Sequence, residues 1–349
     1  MASAHLFSLI VSADLQEIGS GGSVVDKKAS LFADEPLVQI VLAVFNGADY
    51  LVEQVESLVN QSYQNIEILI SDDGSYDGSV GIIDQYCSAD SRIRRLYSGR
   101  RFGSASGHFM WLLTKTDARY VMFCDQDDVW DADKVANEME KMLEMESDYW
   151  ASPILVHSDL RVVNSELTLI NSSYMAYQHI DPARVQLRHL LAQNVVTGCT
   201  ALLNRRLVDL VSATVGNPNI IMHDRWVALV ASALGKIGYV PAATVSYRQH
   251  ESNSIGAHGF SVRDKLSSWE SVVQSVCKGM QQANALLLYF ETKMSDADYS
   301  ACARYGSIYL VGGKLQRILE LVRSGCWMFG FRRKMAQIVA VAMINSSGF

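Results

Sequence analysis

Proline is scarce, 5 in 349 residues, and a Pro-rich linker protein is excluded. The 6 cysteines (Cys87, Cys124, Cys199, Cys277, Cys302 and Cys326) never stand as C-x-x-C, so there is no zinc ribbon or thioredoxin-type pair. A chain this long needs no disulfide staples, and the scatter fits a reducing, intracellular compartment. No window reaches about 18 consecutive apolar residues, so no transmembrane span is expected. The opening Met1-Ala-Ser-Ala-His lacks the basic and long apolar regions of a secretory signal. Positive charge is short as well: 30 Lys+Arg against 37 Asp+Glu leave a net −7. That balance argues against a general nucleic-acid binder, which needs a basic face for phosphates. No G-x-x-x-x-G-K-[ST] loop is present, so nucleotide chemistry here would not use a P-loop.

What is present describes a globular chain with ample core, 49% hydrophobic and 19% charged. Its length suggests two domains, or one large domain with an appendage. Residues 1–35, with five acids, two bases and Gly19-Ser20-Gly21-Gly22-Ser23, read as a poorly ordered leader with room for one short helix. From Pro36 the pattern sharpens. Val38–Val44 is a continuous apolar run of strand length, the signature of a parallel strand buried on both faces. Leu51, Val55 and Leu58 then follow helical spacing, and Ile66–Ile70 is a second buried strand with a helix after Gly78. This βαβα order is the grammar of an open α/β sheet. Tyr120–Cys124 reads as a third strand and Asp133–Glu146 as a helix. Short strands are expected at Ile154–His157, Arg161–Val163, Ile237–Val240 and Thr244–Tyr247. A helix at His223–Leu234 is expected to end on Gly235 as a C-terminal cap. Beyond Ser261 the chain reads as helical.

In open α/β sheets ligands bind beyond the carboxyl ends of the strands. Three polar clusters fall there: Phe45-Asn46, Asp72-Asp73 and Asp125-Gln126-Asp127-Asp128. Any one could be a turn or a cap; three at successive strand ends point to a ligand site. Three carboxylates in four residues repel one another unless a cation or water relieves them. Hard ions such as Mg²⁺ and Mn²⁺ take oxygen ligands and leave positions open for phosphate oxygens. The competing role for that cluster is capping the helix at Asp133. Asp224, ahead of Trp226, Leu229, Val230, Ala233 and Leu234, sits in the first turn of a buried helix, where it is either a general base or a cap. Gly198 suggests a close backbone approach or a bulge.

The motifs Leu42-Ala43-Val44-Phe45-Asn46, Asn60-Gln61-Ser62-Tyr63, Glu67–Asp77 and Asp125-Gln126-Asp127-Asp128-Val129-Trp130 resemble those of family-two glycosyltransferases of GT-A fold. His157–Val163, Gln193–Thr200, His223-Asp224-Arg225-Trp226 and Tyr247-Arg248-Gln249-His250 resemble the bacterial rhamnosyltransferase-like branch, which builds cell-surface polysaccharides. The resemblance runs from about Val38 to Ala257. It implies a Rossmann-like open mixed sheet with helices on both faces over 36–260, and a helical C-terminal extension over 261–349. It implies that Phe45 and Asn46 lie along the base and ribose, and that Asp73 or Asp72 accepts from the base. Gly103 and Gln126 join the nucleotide-sugar site. Asp125 and Asp127 would hold ribose and metal, Asp127 as direct ligand, and His250 would complete the metal shell or contact the diphosphate. Asp224 stands at the catalytic base, preceded by His223 as in that branch. Trp130, Asp159, Thr197, Gly198, His223, Trp226 and Arg248 are weaker candidates for the sugar or acceptor pocket, the two tryptophans being equally readable as core. His108 stands where relatives usually have Asn.

The expected activity is metal-dependent inverting transfer of a sugar, with Mn²⁺ or Mg²⁺ as cofactor. L-rhamnose from dTDP-β-L-rhamnose is the leading donor, and a surface glycan, free or lipid-linked, the acceptor. A UDP-hexose donor, a nucleotidyltransferase and a non-catalytic glycan-assembly subunit are the alternatives. Val311–Phe349 carries six bases and one acid, with Trp327, Met328, Phe329 and Phe331 beside Arg332-Arg333-Lys334. Such a tail suits an anionic membrane surface, a packed helix with a solvated basic face, or an oligomer contact. The expected location is the cytoplasm, at the inner face of the plasma membrane if the tail binds it.

Overall fold

The computed structural model describes residues 35–250 and 268–344. All of the expected leader but Glu35 lies outside the described residues, as do the boundary near residue 260 and the last five residues.

Nine strands form one mixed sheet among the described residues. Its parallel half is built from β1 (Val38–Val44), β2 (Ile66–Asp72), β3 (Ile93–Leu96) and β4 (Tyr120–Cys124), in the order β3-β2-β1-β4. Every residue of β4 is buried, as is every residue of β1 but Ala43, which is why these strands read as unbroken apolar runs. Helices α1 (Ala48–Val59), α2 (Ser79–Ala89) and α3 (Ala105–Leu113) make the crossovers. In register, Val44 lies opposite Asp72 and Leu42 opposite Cys124, so β1, β2 and β4 end at one edge.

The other half adds β5 (Val129–Trp130), β6 (Ile154–Asn164), β7 (Leu169–Asn171), β8 (Ala201–Asn204) and β9 (Lys236–Gln249). Here β4 pairs antiparallel with β8, β8 with β6, and β6 runs parallel to β9. The four short strands expected in this region are two long ones. Ser158 and Asp159 interrupt the apolar pattern without ending the strand, because Ser158 donates to Glu138 at 2.8 Å and shares a hydrogen bond with Thr244 at 2.6 Å. The interruption survives as a register shift on either side of Asp159. Glu138 belongs to α4 (Lys134–Asp148), where it pairs with Lys134 in a fully buried ion pair.

Between β7 and β8 lie the short helices α5 (Tyr174–Tyr177) and α6 (Leu187–Leu190), followed after β8 by α7 (Arg205–Ser212) and α8 (His223–Leu234). Gly235 does follow α8, but not as a left-handed cap: its φ is −151°. Glycine is needed there for space, since a Cβ would lie 1.9 Å from the Pro153 carbonyl oxygen. The C-terminal part is helical: α9 (Ser268–Phe290), α10 (Asp296–Gly306), α11 (Lys314–Ser324) and α12 (Phe331–Met343). It shares a core with the sheet domain, where Met280, Leu286, Tyr305, Leu321 and Val341 join Leu190, Trp226 and Leu229. No helix among the described residues is long and apolar enough to cross a membrane.

Candidate active site

The ends of β1, β2 and β4 are tied together by side chains that read from the sequence as ligand-binding. Gln126 accepts from the Phe45 N–H at 2.7 Å and donates to the Phe45 carbonyl at 3.1 Å, locking the end of β1 to that of β4. Asn46, at φ +50°, donates its N–H to Ser75 at 2.8 Å, and its side-chain oxygen accepts from the Tyr76 N–H at 3.0 Å. Asp72 accepts from the N–H groups of Gly74 and Ser75. Asp73 accepts from Phe102 and Gly103, the latter at 2.8 Å, and Gly103 adopts φ +67°, which costs glycine little. These residues therefore build the rim of a cleft. Phe45 is 38% exposed on that rim, with the Arg101 guanidinium 4.6 Å from its ring centroid and Tyr76 edge-on at 6.1 Å.

Two cavities of about 270 Å³ each open at this edge. One is lined by Phe45, Asp73, Arg101, Gly103, His108, Asp125, Gln126 and Asp127. The other is lined by Asp125, Asp127, Tyr174, Ile180, Asn194–Gly198, His223, Asp224 and Tyr247. They share Ala105, Asp125 and Asp127, so the acidic loop after β4 is the wall where they meet. A larger opening of about 400 Å³ at Arg100 and Val215–Ile221 has no carboxylate in its wall, and acid–base chemistry belongs to the smaller pair.

The carboxylates of the acidic loop act on one another. Burial, then the charges of Asp127 and Asp224, raise Asp125 to about 7. Burial, then Asp127 and Asp125, push Asp128 well above the usual carboxylate range, while the Arg248 N–H donates to it at 3.1 Å. Arg248 does not reach either cavity: it is 2% exposed and donates to the carbonyls of Asp127 and Ser165 and to Glu53, anchoring the loop. His250 lies beside Asp127, Nε2 to Oδ2 at 2.8 Å, its ring stacked on Tyr50.

Two ligand sets can be drawn here. Asp125, Asp128 and Cys199 bring ligand atoms within 4.8 Å of one another. Asp128 and Cys199 are fully buried, however, and burial pushes both toward their protonated forms. Asp127 and Asp125 open on both cavities, and His250 adjoins Asp127. Two carboxylates facing space for phosphate oxygens, one of them with an imidazole at hydrogen-bond distance, fit a hard divalent ion better than a buried thiol does. The loop does not cap α4, whose N-cap is Asp133 without a side-chain bond.

Asp224 is not the cap of α8 either; that position is Met222. Its Oδ1 accepts from the Arg225 N–H at 2.6 Å and its Oδ2 lies 3.4 Å from the Asn194 amide. Burial raises its pKa to about 6, with Arg225 opposing. Asn194 is itself fixed, donating to the Val196 carbonyl and accepting from the Val196 N–H. A Cβ on Gly198 would lie 2.7 Å from His223 Nε2, so glycine lets this loop close over the start of α8. His223, between Phe109 and Phe123, is held neutral by burial, which lowers it to about 3. The nearby Asn194-to-Gly198 turn brings Thr197 into the second cavity.

Three more of the weaker candidates, like Arg248, belong elsewhere. Trp226 is wholly buried and donates to Thr214 at 2.9 Å. Trp130 is 3% exposed under the Lys134 ammonium. Asp159 is spent on Ser173 and on the N–H groups of Leu160 and Met175. Wall residues that escaped the sequence reading as site residues include Arg101, Tyr174, Tyr247 and Asn194, the last within the motif Gln193–Thr200. No local pattern marks the first two; Tyr247 stands in the same tetrapeptide as His250.

The family model for glycosyl transferase family 2 matches residues 39–210. The chain is 27% identical over 228 residues to the dTDP-rhamnosyl transferase RfbG of Shigella flexneri, covering 62% of this chain and 74% of that protein. It is 26% identical over 177 residues to the UDP-Glc:alpha-D-GlcNAc-diphosphoundecaprenol beta-1,3-glucosyltransferase WfgD of Escherichia coli, covering 50% and 63%. Several other curated relatives are matched over less than half of their own length. Among solved structures, the mannosyltransferase PcManGT from Pyrobaculum calidifontis, in complex with GDP-Man and Mn²⁺, aligns with a TM-score of 0.52 at 13% identity, covering 84% of this chain and 74% of that one. The likeness extends the match to the fold, a GT-A-like mixed sheet.

Proposed function

We propose, from the match to glycosyl transferase family 2 over residues 39–210, that the chain is an inverting rhamnosyltransferase of surface-glycan assembly, with Asp224 as the base. The observation that carries this reading is the pair of cavities meeting at Asp125 and Asp127, one holding the exposed Phe45 and the other Asp224. A nucleotide sugar laid in the first cavity stacks its base on Phe45 beside Arg101 and turns its diphosphate toward the acidic loop. Asp127 and His250, with Asp125, would hold a Mn²⁺ or Mg²⁺ ion whose charge offsets that of the leaving diphosphate.

An acceptor hydroxyl in the second cavity gives its proton to the Asp224 carboxylate as its oxygen attacks the anomeric carbon. The bond from that carbon to the diphosphate oxygen breaks, and the electron pair leaves with the nucleoside diphosphate. Attack opposite the leaving group turns a β-L-rhamnosyl donor into an α-L-rhamnoside. A pKa of about 6 suits a general base, since Asp224 is then ionised at neutral pH yet basic enough to accept a proton. Asn194 and the Arg225 N–H orient it.

The named activity of RfbG supports rhamnose, and that of WfgD supports a second reading, a UDP-hexose donor with the same machinery and a diphosphate-lipid-linked acceptor. A lipid-linked or polysaccharide acceptor would bring the enzyme to the cytoplasmic face of the membrane. The match to glycosyl transferase family 2 favours both readings over nucleotidyl transfer. A panel of nucleotide sugars tested by thermal shift with Mn²⁺, then by nucleotide release, separates them. Stabilisation by dTDP-L-rhamnose above all others supports the first reading; a preference for a UDP-hexose replaces it with the second.

A further inference from the structure

Helices α11 and α12 are apolar on the side that faces away from the protein. In α11 the buried side is Leu321 and Ser324, yet Leu315, Leu319 and Val322 recur at helical spacing on the opposite side, Leu315 at 84% exposure. In α12 the buried side is Gln337, Ala340 and Val341, while Phe331, Met335, Val339 and Met343 recur every four residues on the other, Phe331 at 79%. The two helices pack on each other, and Arg317 of α11 donates to the carbonyl of Ile344, just past the end of α12. Scattered apolar side chains are ordinary on a surface; two periodic stripes on neighbouring helices are a binding face.

The rim of this face is basic. Lys314, Arg323, Arg332 and Lys334 are exposed, and the lone acid of the segment, Glu320, pairs with Arg304 and Arg323. A second copy packed by two-fold symmetry would set this basic rim against itself. An anionic lipid surface complements both features at once, taking the apolar stripes into the acyl boundary and the bases against headgroups. The face also continues toward the catalytic cleft. Phe331, Arg332 and Arg333 line an open cavity with His179, whose neighbour Ile180 lines the cavity of Asp224. Arg333 fixes this junction by donating to the carbonyls of Gln178 and His179. We infer that α11 and α12 seat the protein in the interface of an anionic membrane, with the Asp224 cavity turned to that side.

The inference is tested by flotation of the full chain with vesicles of phosphatidylglycerol and phosphatidylcholine, against pure phosphatidylcholine, at low and high salt. Binding should require the anionic lipid and weaken with salt. Leu315→Glu with Phe331→Glu, both at exposed positions, should lower the bound fraction about tenfold or more with melting temperature unchanged. No flotation of the wild-type chain at low salt overturns the inference, and so does equal flotation of the double variant. Gel filtration showing a dimer that the double variant dissolves overturns it too, assigning the face to a second copy. None of these readouts depends on sugar transfer, so failure here is distinct from failure of the donor assignment.

Discussion

Asp224→Asn separates the chemical role of this residue from any structural one. At neutral pH the native carboxylate is ionised against a pKa raised from 3.8 to about 6. The sign follows from linkage. As pH rises from about 4 to 6 the unfolded chain releases this proton while the native state keeps it, so stability falls across that window. The shift of about 2 units corresponds to at most roughly 3 kcal/mol, which an uncharged side chain does not lose. Asparagine brings its own cost. Its oxygen can accept from either Arg225 N–H or the Asn194 amide, and its NH₂ group then faces the other donor. An unmatched contact of that kind costs about 1–3 kcal/mol. The two effects oppose, so the melting temperature should stay within a few degrees of wild type. Turnover should not: loss of a general base lowers kcat by roughly 10²–10⁴. In the wild type, kcat should rise with pH through about 6 as Asp224 ionises, and the residual rate of the variant should lack that rise. Nucleotide release at saturating donor, read beside thermal melting, makes the measurement. A fully active Asp224→Asn would refute the assignment and redirect it to Asp125, the other raised carboxylate that both cavities share.

Asp127→Ala or His250→Ala should abolish the gain in nucleotide-sugar affinity that Mn²⁺ confers on the wild type, measured by calorimetry with and without EDTA; a wild type with no such gain, or variants that keep it in full, would remove the pair as metal ligands. Phe45→Ala should raise the donor KM by about tenfold, since stacking on a base contributes about 1–3 kcal/mol, and leave the melting temperature unchanged because the ring is already exposed. Gly198→Ala forces a Cβ to 2.7 Å from His223 Nε2; overpacking of about 1–3 kcal/mol should lower both melting temperature and kcat, and a neutral result would show that the loop relaxes freely.

Much of the framework is local and therefore legible. Val38–Val44, Ile66–Ile70 and Tyr120–Cys124 declare doubly buried strands, because a strand covered on both faces has no polar side to alternate with. Helical spacing after Asp224 marks α8, and the polar clusters at the strand ends mark the edge where ligands bind. The length of β6 is not legible, since Ser158 and Asp159 are tolerated there through partners in other segments. The same limit governs the site. Asp125 and Asp224 share a cavity across 99 residues of chain, and Asp127 meets His250 across 123, only because β4 and β9 belong to one sheet and α8 enters at its edge. Trp130, Trp226 and Asp159 look no different in sequence from residues that line the cleft; register and crossover turn them into the core, while the same geometry turns Arg101, Tyr174 and Tyr247 into its walls. Residue type and spacing determine what a segment can be, because they set period, caps and charge; which side chains meet depends on long-range pairing, whose energy is shared across the whole sheet and written in no single segment.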